Sequence, residues 1–289
     1  MKLIHKGKVK DVYQYDNDNE NELLFIFSNR ISAFDVAMKQ EIPRKGEILC
    51  KFAGFWFDNL NVHNHMINII DNNKMLVEKL SMIPIECVVR GYFYGSLVDR
   101  YKNNQIDLDD HSDFHILFQD FDAVIASKLS EPLFDPTTKS LEHDFPISKD
   151  TIILSNILSE NDFNFVKNKS IKLYKEMSQI IEKAGFIIAD VKFEFGFNKK
   201  GEIILGDSLG PDEYRIWKAE NYQKGILQES YDKQILRDWL TKIGFKETVN
   251  EYLLHNKKPE PPQLPSYIIK KIQENYIYSY ERITGNKFV

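Results

Sequence analysis

Cysteine is nearly absent from this chain, and its scarcity excludes two common kinds of stabilising site. Only Cys50 and Cys87 occur, far apart, outside any C-x-x-C spacing and each next to apolar residues. Disulfide frameworks and structural zinc sites need several cysteines at short, regular spacings. We therefore expect both residues to be buried free thiols.

Long apolar runs and an excess of positive charge are also lacking. No stretch reaches the roughly 18 consecutive apolar residues of a transmembrane helix, and residues 1–7 lack the pattern of a signal peptide. The 38 Lys and Arg residues face 43 Asp and Glu residues, a balance that argues against a general polyanion binder. We expect a soluble, cytoplasmic protein, a monomer or homodimer, with no membrane or nucleic-acid partner.

Apolar residues, by contrast, are plentiful enough for a sizeable core, since 43% of the 289 residues are hydrophobic and 13% are aromatic. A β-hairpin is predicted from Val9–Tyr15 and Leu23–Ser28, which flank a turn-forming stretch. Helical spacing begins at Lys45 and predicts an amphipathic helix on that sheet, with the apolar stripe Leu49, Phe52, Trp56 and Leu60.

Further elements are predicted along the rest of the chain. Ile83–Val89 is an apolar strand that leads into a glycine-containing loop with Arg90 and Ser96. Prolines interrupt every period in residues 105–149, so we expect this region to be rich in loops. Helical patterns follow at Phe163–Ala184, which Gly185 ends, at Tyr231–Ile243 and at Ser266–Ile283.

The segment Ala189–Phe197 alternates strictly between two kinds of residue. Asp190, Lys192 and Glu194 point to one side, and apolar side chains point to the other. This alternation predicts a strand with one buried face and one charged face. A solvated face on which these charges compensate one another is the simpler interpretation.

A second strand, Glu202–Asp207, follows the turn Asn198–Gly201 and predicts an antiparallel hairpin. In the tightest register Asp207 lies opposite Lys192, so that Asp207 and Glu194 reach one small cation. Magnesium prefers such hard oxygen ligands and completes its shell with water and phosphates, which the lysine would also contact.

The stretch Gly7-Lys8-Val9-Lys10 is a second candidate for phosphate binding. A glycine turn with alternating lysines can lay backbone N–H groups and ammonium charges along a triphosphate, although it is neither a Walker motif nor G-x-G-x-x-G. His63 and His65 suggest a metal pair, but no third ligand is near them in sequence, which favours a solvated loop or helix end.

Two segments resemble the signatures of the phosphoribosylaminoimidazole-succinocarboxamide synthetases, or SAICAR synthetases. One is Ile83–Arg90 with the following Gly95-Ser96, and the other is Ala189–Gly196. Weaker resemblance lies in Gly7–Tyr13, in Arg30–Asp35, and in Pro211-Asp212 with Arg215 and Trp217. The stretch from Thr137 to Ser148 is similar to the longer, yeast-like branch of that family.

The resemblance implies an α+β fold of two domains. Residues 1–83 would form a nucleotide-binding domain with an antiparallel sheet, and residues 84–289 an α+β substrate and metal domain that includes the C-terminal helices. An ATP cleft would lie between them, as in ATP-grasp enzymes and protein kinases. The implied activity is a Mg·ATP-dependent ligase that joins a carboxylated aminoimidazole ribonucleotide (CAIR) to L-aspartate, through an acyl phosphate.

The resemblance also implies roles for individual residues. A catalytic group would comprise Lys192, Glu194 and Asp207, of which Glu194 and Asp207 hold Mg2+. ATP would be bound by Gly7, Lys8, Val9, Lys10, Lys192 and the backbone near Leu80 and Met82. The ribonucleotide phosphate would be bound by Arg90, Ser96 and Arg215, and its ribose hydroxyls by Asp190. Lys139, Asp35 and Asp144 would lie near the substrate carboxylates.

Three positions depart from the family pattern. Tyr94 stands where a small residue precedes Gly-Ser, Ser208 where an acidic residue follows Asp207, and Tyr214 where serine precedes Arg215. A regulatory homologue that lost catalysis through such changes would bind Mg·ATP without turnover. A protein kinase is the other alternative, but the chain contains neither the His-Arg-Asp nor the Asp-Phe-Gly tripeptide of that class.

Overall fold

The chain divides into two compact units, each built from separate stretches of sequence. The computed structural model describes residues 1–15, 20–106, 114, 122–139, 145–255 and 257–289. Unit 1 comprises Met1–Ser81, Gly196–Asp212 and Tyr231–Val289, and unit 2 comprises Met82–Phe195 and Glu213–Ser230. The C-terminal helices therefore belong to unit 1. The functional division at residue 83 into nucleotide-binding and substrate domains stays a prediction.

Strands and helices both contribute to the fold, which confirms the α+β class. The strands are β1 Lys2–Lys6, β2 Lys10–Gln14, β3 Glu22–Phe27, β4 Ser32–Ala33, β5 Val36–Ala37, β6 Met66–Asp71, β7 Lys74–Glu78, β8 Ser81–Met82, β9 Ile85–Tyr92, β10 Lys128–Phe134, β11 Thr137–Thr138, β12 Phe186–Phe193, β13 Phe195–Phe197, β14 Ile203–Leu205 and β15 Tyr214–Lys218. The α-helices are α1 Lys45–Asn59, α2 Ser96–Lys102, α3 Lys149–Leu154, α4 Glu160–Lys183, α5 Gln234–Lys242, α6 Phe245–Leu253 and α7 Ser266–Thr284, and Ala219–Asn221 form a short 3-10 helix. No helix in the described part of the chain has the length and apolarity needed to cross a lipid bilayer.

Unit 1 is built on an antiparallel sheet in the order β1-β2-β3-β7-β6. The predicted hairpin is confirmed, since β2 pairs with β3 from Lys10 opposite Phe27 to Gln14 opposite Leu23. Helix α1 contacts β3 and β6 on one side and α7 on another. Its predicted apolar stripe is buried, with Trp56 fully inaccessible to solvent.

Unit 2 contains a sheet in the order β10-β9-β12-β15, and β11 also pairs with β9. Helix α4 contacts β9, β10 and β12, so its apolar side faces the sheet. The Tyr174 hydroxyl of this helix donates to the Ile188 carbonyl at 2.8 Å. A Cβ on Gly91 would lie 1.7 Å from that hydroxyl oxygen, so the helix lies this close to the sheet only because residue 91 is glycine.

Residues 105–149 were predicted to be rich in loops and irregular, and within them Lys128–Phe134 form the strand β10, which was not predicted. This strand is at the edge of its sheet, and its register with β9 shifts between Lys128 and Leu133. Pro132 lies in that irregular stretch. Proline has no backbone N–H to donate, but in an irregular edge strand this removes no hydrogen bond from the centre of the sheet. Helices α2, α3 and α6 were not predicted either.

The predicted charged strand is real but is broken at Glu194, so that β12 and β13 belong to different sheets. Lys192 pairs with Val88 of β9, and its backbone N–H donates to Glu213, so the register that placed Asp207 opposite Lys192 is wrong. A turn forms at the predicted residues, because Gly201 N–H donates to the Asn198 carbonyl, but Asn198 N–H donates to the Glu202 carbonyl and not to that of Gly201. Strand β13 then adjoins β14 in the order β14-β13-β8.

Candidate active site

The turn between β1 and β2 in unit 1 presents two lysines. Gly7 N–H donates to the Lys10 carbonyl at 2.9 Å. A Cβ on residue 7 would lie 2.6 Å from that same oxygen, so only glycine permits this closure. Lys8 forms an ion pair with Asp35 and remains 47% exposed. Lys10 is turned inward, with 11% of its side chain exposed.

Lys10 meets the segment that follows β14. Its ammonium lies 2.6 Å from the Asp207 carboxylate and 2.9 Å from the Ser208 hydroxyl. The serine at position 208 thus contributes a neutral oxygen to the same lysine that Asp207 neutralises. Lys10 and Asp207 both lie in unit 1, and their contact brings together two segments that are distant in sequence.

His65 lies beside the same segment, and its predicted place in a solvated loop is wrong. Its side chain is buried, while His63 is exposed. The imidazole Nε2 lies 3.0 Å from the Asp207 carbonyl oxygen. Burial lowers the pKa of His65 to about 4, because desolvation of the cation outweighs the attraction of Asp207. The ring is therefore neutral at pH 7.

The predicted adenine contacts, Leu80 and Met82, lie on either side of the boundary at which the chain leaves unit 1. Leu80 packs against Gly196, where a Cβ would lie 2.8 Å from the Leu80 Cβ. Met82, the first residue of unit 2, has 37% of its surface exposed. An exposed apolar side chain suits contact with a flat purine, but the contact itself stays a prediction.

Unit 2 gathers two carboxylates and two lysines, which we call the lysine–carboxylate cluster: Glu86, Lys139, Lys192 and Glu194. Lys192 Nζ lies 2.6 Å from Glu86 Oε1 and 3.9 Å from Glu194 Oε1. Lys139 contacts the other oxygen of Glu194. Glu194 is only 5% exposed, which rules out the simple solvated strand face.

Glu86 is the member of this cluster that the sequence interpretation missed. It lies on β9 within the first family signature, and its Oε2 also accepts a 3.4 Å hydrogen bond from Thr137. A charged residue inside an otherwise apolar strand was the available signal. Burial alone disfavours the Lys192 cation, but the charges of Glu86 and Glu194 outweigh it and raise the pKa of Lys192. Lys192 therefore stays protonated and positively charged.

The predicted phosphate ligands are also brought together in unit 2, and we call Arg90, Ser96, Asp190 and Arg215 the arginine cluster. Arg90 donates to the Ser96 hydroxyl at 3.1 Å, and Arg215 donates to Asp190 at 2.7 Å. Strand register produces this arrangement, because Asp190 pairs with Arg90 on one side and Arg215 on the other. Ser96 is exposed at the start of α2.

Asp135 and Arg100 support the arginine cluster and were not predicted. The Asp135 carboxylate, 3% exposed, accepts from Arg90 Nε at 2.5 Å and also from Arg100. Burial alone would favour the neutral acid, but the two guanidinium groups outweigh it and hold the pKa of Asp135 below its usual range. Arg90 is thus held in place by a fixed negative charge.

The two bulky departures, Tyr94 and Tyr214, are both buried. Tyr94 is 4% exposed, with its ring 4.8 Å from Trp217 and the Arg215 guanidinium 5.1 Å away over its face. Tyr214 is also 4% exposed. Arg215 is therefore stacked as well as paired with a carboxylate, which limits its rotamers.

The oxygen donors present fit magnesium better than zinc. Among the described residues no group of three or more His, Cys, Asp and Glu side chains is arranged to hold a metal ion. Magnesium commonly uses only one or two carboxylates and takes its other ligands from water and phosphates. Glu194 and Asp207 each offer a carboxylate already facing a cationic lysine. Asp144 lies outside the described residues.

Comparison with known proteins gives a consistent result for both sequence and structure. A family model described as SAICAR synthetase matches residues 3–252. A phosphoribosylaminoimidazole-succinocarboxamide synthase of Nitrosopumilus maritimus is 49% identical over 285 residues, 99% of each chain. One of Thermodesulfovibrio yellowstonii is 38% identical over 307 residues, 99% of this chain and 96% of the relative.

Two of the solved structures that are similar to this chain contain a bound ligand. The SAICAR synthase of Saccharomyces cerevisiae, complexed with SAICAR, matches with a TM-score of 0.80 and 32% identity over 99% of this chain and 95% of its own. A type-2 SAICAR synthetase in complex with ADP matches with a TM-score of 0.72 and 25% identity over 99% of both chains.

Proposed function

The chain belongs to the SAICAR synthetase family, and from this premise we propose which of its residues carry out the reaction. The enzyme is a carbon–nitrogen ligase of purine biosynthesis that joins CAIR to L-aspartate and converts ATP to ADP and phosphate. The observation that best supports the assignment is the arginine cluster, because its four residues come from three separate stretches of sequence and together offer the cations and hydrogen-bonding groups that a phosphorylated ribose needs.

The chemistry needs an activated acid. A carboxylate is a poor electrophile, so an oxygen of the CAIR carboxylate attacks the γ-phosphorus of ATP, and ADP leaves. The aspartate amine then attacks the acyl carbon, loses a proton, and phosphate departs to leave the amide. Positioning and charge neutralisation dominate phosphoryl transfer, so cationic side chains contribute more than a general base.

Arg90, Ser96 and Arg215 bind the ribonucleotide phosphate in this proposal, and Asp190 accepts from its ribose hydroxyls. Arginine suits a phosphate because its planar fork donates two parallel hydrogen bonds. The support is geometric, since Asp190 and Asp135 already hold both guanidinium groups in fixed orientations. Such preorganisation lowers the entropy cost of binding.

Lys8, Lys10 and Lys192 bind ATP phosphates, with the backbone of Gly7 and Val9, and the backbone near Leu80 and Met82 contacts adenine. Glu194 and Asp207 bind Mg2+, which when bound neutralises the charge that develops on the phosphoryl oxygens. Each of these two carboxylates already faces at least one lysine. Lys192, Glu194 and Asp207 form the catalytic group.

Lys139, Asp35 and Asp144 complete the proposal near the substrate carboxylates. Lys139 forms an ion pair with Glu194 and has 42% of its side chain exposed, which lets an incoming anion approach it. Asp35 contacts Lys8 in unit 1. A cytoplasmic location, and a monomeric or homodimeric state, are part of the same proposal.

An assay of ADP release tests this function. The purified protein is incubated with Mg·ATP while CAIR, then L-aspartate, then both are omitted. We expect sustained ADP release only when both are present, together with stoichiometric SAICAR measured by its absorbance. Release that ignores both substrates would contradict the ligase assignment, and tight ATP binding without any release would indicate a regulatory homologue instead.

A further inference from the structure

The proposed metal ligand Asp207 has an uncommon backbone conformation. Its φ angle is 57°, in the left-handed region that L-residues other than Gly, Asn and Asp seldom adopt. Asp is one of the few residues besides Gly that adopt this region as single residues, so the conformation costs it less than it would cost most side chains. Asp207 lies two residues after the end of β14 at Leu205. The groups that contact residue 207 therefore help to fix the direction in which its carboxylate leaves the chain.

The imidazole of His65 is placed to supply that fixation. Its Nε2 lies 3.0 Å from the Asp207 carbonyl oxygen. Because a carbonyl oxygen can only accept, Nε2 carries the hydrogen and donates it. The ring meets Phe25 edge-on at 5.4 Å and Phe57 at 5.6 Å, and the residue is 2% exposed. The donor is thus held by packing on both sides.

Backbone hydrogen bonds tie the two stretches together as well. His65 N–H donates to the Leu205 carbonyl at 3.0 Å, and Leu205 N–H donates to His63 at 3.0 Å. Glu78 N–H donates to the His65 carbonyl at 2.7 Å, which connects the stretch to the end of β7. The main chain fixes residue 205, and the imidazole contacts the chain two residues further on, at Asp207.

We propose that His65 is a positioning residue, which holds the Asp207 main chain so that its carboxylate faces the nucleotide-binding lysine Lys10. The inference rests on the proposed role of Asp207 as a magnesium ligand. The Asp207 carboxylate lies 2.6 Å from Lys10. Without the imidazole donor, the Asp207 carbonyl loses the hydrogen bond from His65, and the main chain that directs the carboxylate is less firmly held.

A purely structural role for His65 makes a different prediction. If the ring only fills space between Phe25 and Phe57, any neutral side chain of similar volume serves equally well. If the Nε2 donor holds Asp207 in place, a side chain can replace histidine only when it places a donor nitrogen at the same position. Glutamine places an amide nitrogen near the position of imidazole Nε2, whereas asparagine reaches only as far as Nδ1.

The test therefore compares His65→Gln with His65→Asn, and adds His65→Leu and the exposed control His63→Asn. Binding of Mn2+ in the presence of ADP is measured from the electron paramagnetic resonance signal of the free ion. We expect His65→Asn and His65→Leu to weaken Mn2+ binding about tenfold to a hundredfold, as loss of a supporting residue does at metal sites. His65→Gln and His63→Asn should stay within about threefold of wild type.

Asp207→Asn separates this inference from the proposed function. Unchanged Mn2+ binding in Asp207→Asn would overturn the metal role of Asp207 itself. Weak binding in Asp207→Asn together with unchanged binding in His65→Asn would overturn only the positioning role. Equal losses in His65→Gln and His65→Asn, or failure of all three His65 variants to fold, would assign His65 to core packing and also overturn it.

Discussion

Glu194 belongs to a strand face that its alternating sequence predicts to be solvated, yet it is only 5% exposed. The difference arises because the strand breaks at this residue and two lysines cover the carboxylate. The alternation of apolar and polar residues indicates on which face of a strand a residue lies, but it does not indicate which groups cover that face. A buried carboxylate with two cationic neighbours is the kind of residue that active sites contain.

Replacing Glu194 by Gln tests its role as a metal ligand. The amide keeps the shape of the side chain but removes the negative charge, so we expect turnover to fall at least about a hundredfold. Far-UV circular dichroism should be unchanged. Glu202→Gln, at an exposed position beyond the next turn, is the control and should retain full turnover. Wild-type activity in Glu194→Gln would show that the magnesium assignment is wrong.

Arg215→Lys tests the arginine cluster with the charge retained. Lysine cannot reproduce the hydrogen bond to Asp190 together with the stacking over Tyr94. We expect the KM for CAIR to rise about tenfold to a hundredfold while the KM for ATP changes little. The exposed Arg282→Lys serves as control. An equal rise in both KM values would argue against a specific phosphate role.

His65 should make stability depend on pH. Its folded pKa is about 4, below the ordinary value of about 6.5, so the unfolded chain binds more protons between these pH values. Stability contributed by the neutral ring is therefore complete above about pH 6.5 and declines by about 3 kcal/mol as pH falls to about 4. Urea unfolding of wild type and His65→Gln should show a stability difference that changes over this window; a constant difference would contradict it.

At the scale of elements, Gly95 joins strand β9 to helix α2 in a conformation that suits glycine. Its φ is 61°, and a Cβ there would lie 2.6 Å from Arg215 Nη1. We expect Gly95→Ala to displace Arg215 and raise the KM for CAIR at least about tenfold, beyond a backbone cost of about 1–3 kcal/mol. Gly201→Ala has a similar φ of 77° but no atom within 4 Å, so it should lose stability without a change in KM.

Elements with strong local patterns could be predicted from sequence, and those set by long-range pairing could not. The stripe of α1 and the hairpin of β2 and β3 follow from spacing and turn composition. Strand β10 escapes because Pro132 and polar residues fit an irregular edge strand as well as they fit a loop. The break after Phe193 could not be predicted because β12 is paired on both sides with strands that are distant in sequence.

At the scale of the whole molecule, the site residues come from motifs that the sequence reveals, but their neighbours do not. Arg90, Asp190 and Arg215 were predicted through family resemblance, and strand register brings them together. Glu86, Asp135 and His65 each contact a predicted residue, but no sequence motif indicates this supporting role. Such supporting residues can be found only once it is known which stretches of the chain form each unit.

Asp212 connects all three stretches of sequence from which unit 1 is built. Its carboxylate, 1% exposed, lies 2.8 Å from Lys45 at the start of α1 and accepts from the Tyr276 hydroxyl of α7 at 2.7 Å. Lys233 lies 3.9 Å away. Burial opposes the charge, but Lys233 and Lys45 outweigh it and hold the pKa of Asp212 well below its usual range.

Asp212→Asn should therefore destabilise unit 1 as a whole, because it leaves buried Lys45 without its counter-charge. We expect the free energy of unfolding to fall by about 3–5 kcal/mol. Hydrogen exchange should accelerate in peptides from all three stretches of unit 1, more than in Met82–Phe195 of unit 2. Glu260→Gln, which removes the exposed ion pair with Lys39 in the same unit, should change neither quantity. Faster exchange confined to the residues around Asp212 would mean that this carboxylate stabilises one loop and that the three stretches hold together without it.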